Sequence, residues 1–138
     1  MALVERGGDV RTFHVASADK ETVAHIVTRN IANESRLHTD ESRLYTEAGI
    51  WFAKHETVKH SAGEYVRDDV HTNSAEGFFS IFKRGMRGVY QHCKEKNLHR
   101  YLAEFEFRYN TRKMSDGERV VLAVRAGEGK RLTYRQPH

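Results

Sequence analysis

Two acidic residues stand where a carboxylate could meet a metal ion or a phosphate. Asp40 closes the run RLHTD, and Glu76 stands early in NSAEGFFSIFKRG, with 35 residues between them. A carboxylate at the carboxyl end of a strand in an open α/β sheet lies where such sheets bind ligands. Asp40 also precedes ESRLYTEA, and an aspartate there is a natural helix cap. Glu76 follows Asn73 by three residues, the spacing of a capping box. Taken singly, each acid is accounted for by its cap. Together they gain a second meaning, because two acids on separate rigid elements can share divalent cations. Mg²⁺ takes hard oxygen ligands, usually one or two carboxylates plus substrate phosphate oxygens. A pair of such ions can activate the attacking oxygen and stabilise the leaving one in phosphodiester cleavage or strand transfer. Glu76 and Lys83 are seven residues apart and so share a helix face. Lys83 and Arg84 could then hold a DNA phosphate beside the metals, with Arg87 on the same polar side.

The elements that must position these acids follow from the pattern along the chain. ALVER, GGD and VRTFHV read as strand, tight turn and strand, with Gly7-Gly8-Asp9 supplying positive-φ residues. Ser17 is placed to cap a helix from about Ala18 to Ile31, with Val23, Ile26 and Val27 on one stripe. RLHTD is extended. Arg43 to Lys54 has helical spacing through Leu44, Tyr45, Ala48, Trp51 and Phe52, weakened by Gly49. HETVKH alternates like a short strand, and SAGEYVRDD reads as a loop. A helix from Ser74 to about Gly85 carries the stripe Phe78, Phe79, Ile81, Phe82 and Met86, after which Gly85 and Gly88 break the pattern. A last strong helix, capped by Asn97, runs from Leu98 to about Lys113 on the stripe Leu98, Tyr101, Leu102, Phe105 and Tyr109. In the tail, VVLAV fits a short helix or a strand, and the last dozen residues read as loose. Strands alternating with helices indicate an α/β or α+β layer fold.

At 138 residues the chain suits one domain with its own core. No apolar run approaches the length of a membrane span, and MALVERGG lacks the regions of a signal peptide. The single cysteine, Cys93, excludes an internal disulfide, and together these features favour a cytoplasmic protein. Charge is unevenly spread. Residues 1–82 hold 9 Lys and Arg against 13 Asp and Glu, a net of −4; residues 83–138 hold 14 against 6, a net of +8. A basic half beside an acidic half suits contact with a polyanion such as nucleic acid, and equally a solvated surface without a partner. The nine histidines show no paired spacing of a structural zinc site. Cys93 has His92 and His99 nearby but no third group of a nucleophilic triad. Tyr101, Phe105 and Tyr109 at helical spacing are core residues before they are a base-stacking row.

The phrases HTD at 38–40, HETVKHSAGEYV at 55–66, HTN at 71–73, EGFFSIFKRG at 76–85 and RYLAEFEFRYNTR at 100–112 resemble, in this order, the catalytic part of DDE-type insertion-sequence transposases of the ISXO-like branch. The resemblance runs from about Leu3 to Arg112. It implies a ribonuclease-H-like α/β (α+β) fold, a mixed sheet flanked by helices, occupying residues 1–113, with 114–138 as a partly loose tail. It implies an enzyme that cuts and joins DNA with Mg²⁺ or Mn²⁺ held by an Asp, Asp, Glu triad, in which an Asn can take the third role. On that reading Asp40 is the second acid, Glu76 the third and Lys83 the basic residue after it. Asn73 is the rival third ligand, and His71 belongs to the motif with its role open. The partners implied are transposon-end and target DNA, with self-association or pairing to an intact transposase.

One element of the family pattern is not found. The first aspartate belongs on a strand ahead of the hairpin that opens this chain, and nothing before ALVER supplies it. Asp9 is a poor substitute, because its turn belongs at the sheet end away from the site. The expectation is therefore a transposase catalytic domain lacking its first strand, inactive or nearly so by itself. The alternative is a non-catalytic remnant that binds DNA or dampens an intact transposase.

Overall fold

The computed structural model describes residues 1–62 and 72–130. The chain opens with an antiparallel hairpin of β1 (Ala2–Val4) and β2 (Val10–Thr12), turned by Gly7 at φ 73°. Of the three predicted turn residues, only Gly7 needs positive φ, the conformation glycine adopts without steric cost. Helix α1 (Lys20–Asn30) follows. Its cap is Asp19, which accepts a hydrogen bond from the Thr22 amide at 2.8 Å, and not the expected Ser17. Strand β3 (Arg36–Asp40) lies parallel to β4 (Lys54–Val58), with His38 opposite Glu56 and Asp40 opposite Val58.

The helix expected between Arg43 and Lys54 is broken. A 3₁₀ turn (Arg43–Tyr45) leads into a single α-turn, α2 (Thr46–Gly49). Gly49 sits against the His55 ring. A continued helix would carry the chain away from β4, so it stops there. Trp51, placed on the apolar stripe by its spacing, is 64% exposed, whereas Phe52 is buried. Most of the SAGEYVRDD loop, and His71, lie outside the described residues.

Helix α3 (Asn73–Gly85) does not end in a break. It passes into a π-helical turn, Met86–Tyr90, then a γ-type turn in which Gln91 takes φ 54°. A 3₁₀ turn at Glu95–Asn97 leads to α4 (Leu98–Asn110), whose Asn97 stands at the cap position without a side-chain capping bond. Residues 116–127, expected to be only a short piece of structure in a loose tail, form α5 (Asp116–Gly127). Its capping box joins Ser115 and Glu118.

The core is in two parts. Val23 and Val27 of α1 pack with Leu37, Ala48 and Phe52; Val10, Phe78 and Phe105 form the second cluster among α3, α4 and the hairpin. Strand β1 joins them by its alternation. Leu3 faces the α1 cluster, while Ala2 and Val4 face the α3–α4 cluster. Edge-to-face ring pairs hold the second cluster: Phe78 with Tyr109 at 5.6 Å and Phe82 with Phe105 at 5.1 Å. Such pairs contribute roughly 0.5–1.5 kcal/mol each beyond their burial. Ile81, read as part of the α3 stripe, lies 52% exposed at the edge of the buried face.

Helix α4 also seals the outer edge of β2. Asn110 accepts from the Val10 amide at 2.7 Å and donates to the Val10 carbonyl at 2.9 Å, and Glu106 accepts from the Thr12 amide at 2.7 Å. The match is geometric: four helical residues rise about 6 Å and two strand residues about 6.8 Å. An i, i+4 pair therefore meets alternate residues of a strand.

Among the described residues four strands form two separate two-stranded sheets, β1–β2 and β3–β4, where a single mixed sheet was expected. A cleft separates β1 from β3, and the two pairings share no strand that would join them. The architecture is a small mixed α/β arrangement, with α1 on one side and α3 and α4 on the other.

Candidate active-site cleft

The cleft between the two sheets has a volume of about 1270 Å³. Leu37 and Thr39 of β3 are buried, with Leu37 in the α1 cluster. Strand alternation therefore turns His38 and Asp40 to the opposite side, where α3 begins. Asp40 and Glu76 both line the cleft, brought there from the end of β3 and the first turn of α3.

Asp40 has a local task as well. Its Oδ1 accepts from the Ser42 amide at 3.0 Å, an Asx turn that starts the 3₁₀ segment. Tyr45 follows on that segment. Burial, and then the negative charge of Asp40, raise the Tyr45 phenol above its ordinary value. The predicted Asn73–Glu76 capping box is absent, because α3 begins one residue earlier than the box requires. Thr72 is the cap residue and Glu76 the fourth helical position. The Glu76 carboxylate instead accepts from the Thr72 hydroxyl at 2.6 Å. Asn73 is exposed and not part of the cleft wall, whereas Thr72, Ser74 and Ala75 are.

Lys83, Arg84 and Arg87 do not line the cleft. The helical rise sets Lys83 about 10 Å along the axis from Glu76. All three are exposed, Lys83 and Arg84 at the far end of α3 and Arg87 in the π-helical turn after it.

A polar cluster that sequence reasoning did not single out surrounds His38. Arg6, from the hairpin turn, places Nη2 3.0 Å from His38 Nδ1 and so bridges the two sheets. A guanidinium only donates, which makes Nδ1 the acceptor and leaves the proton on Nε2. That nitrogen lies 3.7 Å from Glu56 Oε2. Glu56 also receives Arg36 at 2.7 Å and Lys54 at 3.7 Å. The Arg36 hydrogen bond is the chief reason its carboxyl lies below the ordinary range. The signal was in the parallel register, which sets Arg36 beside Lys54 and His38 beside Glu56. Strand pairing cannot be read from either segment alone. On the other face, His55 meets the Thr39 hydroxyl at 2.9 Å, and burial lowers its imidazole below the usual value.

A metal pair of the kind expected from the acids needs a close set of hard donors. Among the described residues no three His, Cys, Asp or Glu side chains form a metal-holding group. Asp40 and Glu76 supply two carboxylates to one cleft, and that set does not by itself fit a two-metal site. No helix among the described residues is long and apolar enough to cross a membrane.

The cleft thus takes an aspartate from a strand end and a glutamate from a helix start, within a small mixed α/β frame. The chain belongs to the family of the ISXO2-like transposase domain, whose pattern matches residues 1–110. Helix α5 lies beyond that match. No curated protein and no solved structure matches the chain.

Proposed function

We propose that the chain is the DNA-handling frame of a ribonuclease-H-like transposase catalytic domain, with Asp40 and Glu76 as two of its site carboxylates. The observation that carries this is their meeting in one cleft from positions with 35 residues between them. The element order supports the fold reading: a hairpin, a helix, then two parallel strands with a helical connection between them. One further strand between β1 and β3 would turn the two sheets into a single mixed sheet. Mg²⁺ or Mn²⁺ and DNA are the cofactor and partner of this reading, and Asp40 and Glu76 are the side chains that would face both. Asn73, exposed and outside the cleft wall, is the weaker third ligand.

Among the described residues Asp40 and Glu76 have no third grouped donor, and two carboxylates hold a metal pair poorly, since Mg²⁺ sheds its water reluctantly and asks for near-octahedral oxygen geometry. The 138-residue chain is therefore expected to bind DNA without cutting it. The test is incubation of the purified chain with supercoiled DNA in Mg²⁺ and in Mn²⁺, beside Asp40→Ala. No nicking above the Asp40→Ala background is the expected result. Robust nicking that vanishes in Asp40→Ala would overturn the inert reading and make the cleft a working active site.

A further inference from the structure

Half of the cations among the described residues are engaged. Arg36 and Lys54 hold Glu56, Arg6 holds His38, and Arg11 holds Asn30. Arg108 holds Glu104, while Arg112 and Lys113 bind the Gly8 and Gly7 carbonyls. Ten are not, and six of these stand in one span: Lys83, Arg84, Arg87, Lys94, Lys96 and Arg100. They are exposed, and their side chains make no hydrogen bond or ion pair among the described residues. All six fall between positions 83 and 100, with Glu95 as the one acid in that span.

The fold brings them to one end of the α3–α4 pair. Tyr90 of the π turn packs on Tyr101 at 4.8 Å and donates to Glu104 at 2.6 Å. Gly85 lies against the tip of the Phe105 ring. The end of α3 is thus pinned to the first turns of α4. The turn contains a π-helical segment and a positive-φ Gln91, two uncommon backbone states within six residues. Such states persist where the surroundings over-determine them, and π segments are frequent at functional sites.

Helix stability explains half of these charges and opposes the rest. Lys83 and Arg84, with Arg87 in the π turn that continues the helix, complement the carboxyl-terminal dipole of α3. Lys94, Lys96 and Arg100 cluster at the amino-terminal end of α4, where the dipole disfavours cations. A cation set there against the local field indicates an external anion.

We propose that the α3–α4 turn is a contact for the duplex DNA backbone, separate from the Asp40–Glu76 cleft. The proposal rests on the reading that this chain handles DNA, and adds where the duplex is held. From Glu76 to the middle of the π turn the helix rises about 18 Å. At about 3.4 Å per phosphate along a strand, the turn would meet the duplex roughly five base pairs from the cleft. The grip is sequence-independent, because lysine and arginine on phosphates carry no base information.

The test measures affinity for a labelled random-sequence duplex by fluorescence anisotropy as salt is raised. It compares the wild type, the triple variant Lys94→Gln/Lys96→Gln/Arg100→Gln, and a control with Lys20→Gln, Arg43→Gln and Arg125→Gln, three exposed cations elsewhere. Each lost phosphate contact flattens the log–log salt dependence by about 0.9. The α3–α4 variant should therefore lose about 2.7 in slope, so that a rise from about 50 to 200 mM salt weakens the wild type about 40-fold more than the variant. Its melting temperature should not fall, because charges opposed to the helix dipole have been removed. The control should keep the wild-type slope. An unchanged slope in the α3–α4 variant, or an equal loss in the control, overturns this proposal and leaves the proposed function standing. A wild type that binds no duplex overturns both.

Discussion

Replacing Gly85 by alanine sets two effects of opposite sign against each other. Gly85 has helical backbone angles, φ −62° and ψ −43°. Alanine there gains about 0.5–1 kcal/mol from the lower entropy of its unfolded state and its higher helix propensity. The new methyl, however, would lie closer than 3.0 Å to the tip of the Phe105 ring. Phe105 is 9% exposed and has Phe82 at 5.1 Å and Tyr90 at 6.3 Å, so the ring cannot step aside without moving both. Overpacking of this kind costs about 1–3 kcal/mol, and a disturbed edge-to-face pair adds about 0.5–1.5. The net expectation is a loss of about 1–3 kcal/mol, or a melting temperature about 5–10 °C lower for a domain of this size. Gly77, on the same helix, is the internal control, because nothing lies within 4 Å of the position its methyl would take. Gly77→Ala should raise the midpoint by about 2–4 °C. Both are measured by thermal melts followed by circular dichroism, with urea midpoints as a check. A Gly85→Ala midpoint at or above wild type would refute the reasoning, since it would mean that α3 and α4 do not meet at this ring.

Three further outcomes are expected. Asn110→Leu removes both hydrogen bonds that close the Val10 edge and leaves that backbone amide and carbonyl facing an apolar side chain, at a cost of about 2 kcal/mol in urea denaturation; an unchanged midpoint would show that water replaces both bonds. Burial lowers the His55 imidazole from 6.5, so the unfolded chain takes up its proton more readily. Its contribution to stability is present above 6.5 and is lost as pH falls through that value toward the folded one, which makes the fall in midpoint between about pH 7 and pH 5 steeper in wild type than in His55→Asn; parallel curves would remove His55 as the cause. Ser115→Ala removes the α5 capping box and should cost that helix about 1 kcal/mol, seen as amide exchange about fivefold faster within α5. Equal quickening across α4 would refute the assignment of the loss to the α5 cap.

The local elements were largely legible in the sequence because each is fixed by near neighbours. The hairpin announces itself by apolar runs around Gly7, and the α4 stripe by Leu102 and Phe105 three residues apart. The errors were also local in cause. Ser17 and Asp19 are both competent caps, and only the position of the first helical turn decides between them. Gly85 looked like a stop because glycine weakens helices, yet it is where two helices approach too closely for any side chain. S-D-G-E at 115–118 is a capping-box sequence that could have located α5 beforehand. Asp40 and Glu76 were legible as candidates from their placement on a strand end and a helix start. The cluster of Arg6, Arg36, His38, Lys54 and Glu56 was not, because it depends on which strands pair and on a guanidinium reaching across the cleft.

The hairpin has two unlike edges. On its inner side the Glu5 amide donates to the Asp9 carbonyl, and Met1 and Phe13 exchange backbone bonds. By the antiparallel alternation Leu3 does the same, and Ala2 and Val4 turn their amides and carbonyls the other way, into the cleft. With Asn110 and Glu106 closing the opposite edge, any polypeptide that extends this sheet must enter beside β1. It would then occupy the space in front of Asp40 and Glu76. Sheet extension and access to the two carboxylates are thus competing occupancies of a single volume, and any ligand lying along β1 would also shield that edge against association of the chain with itself.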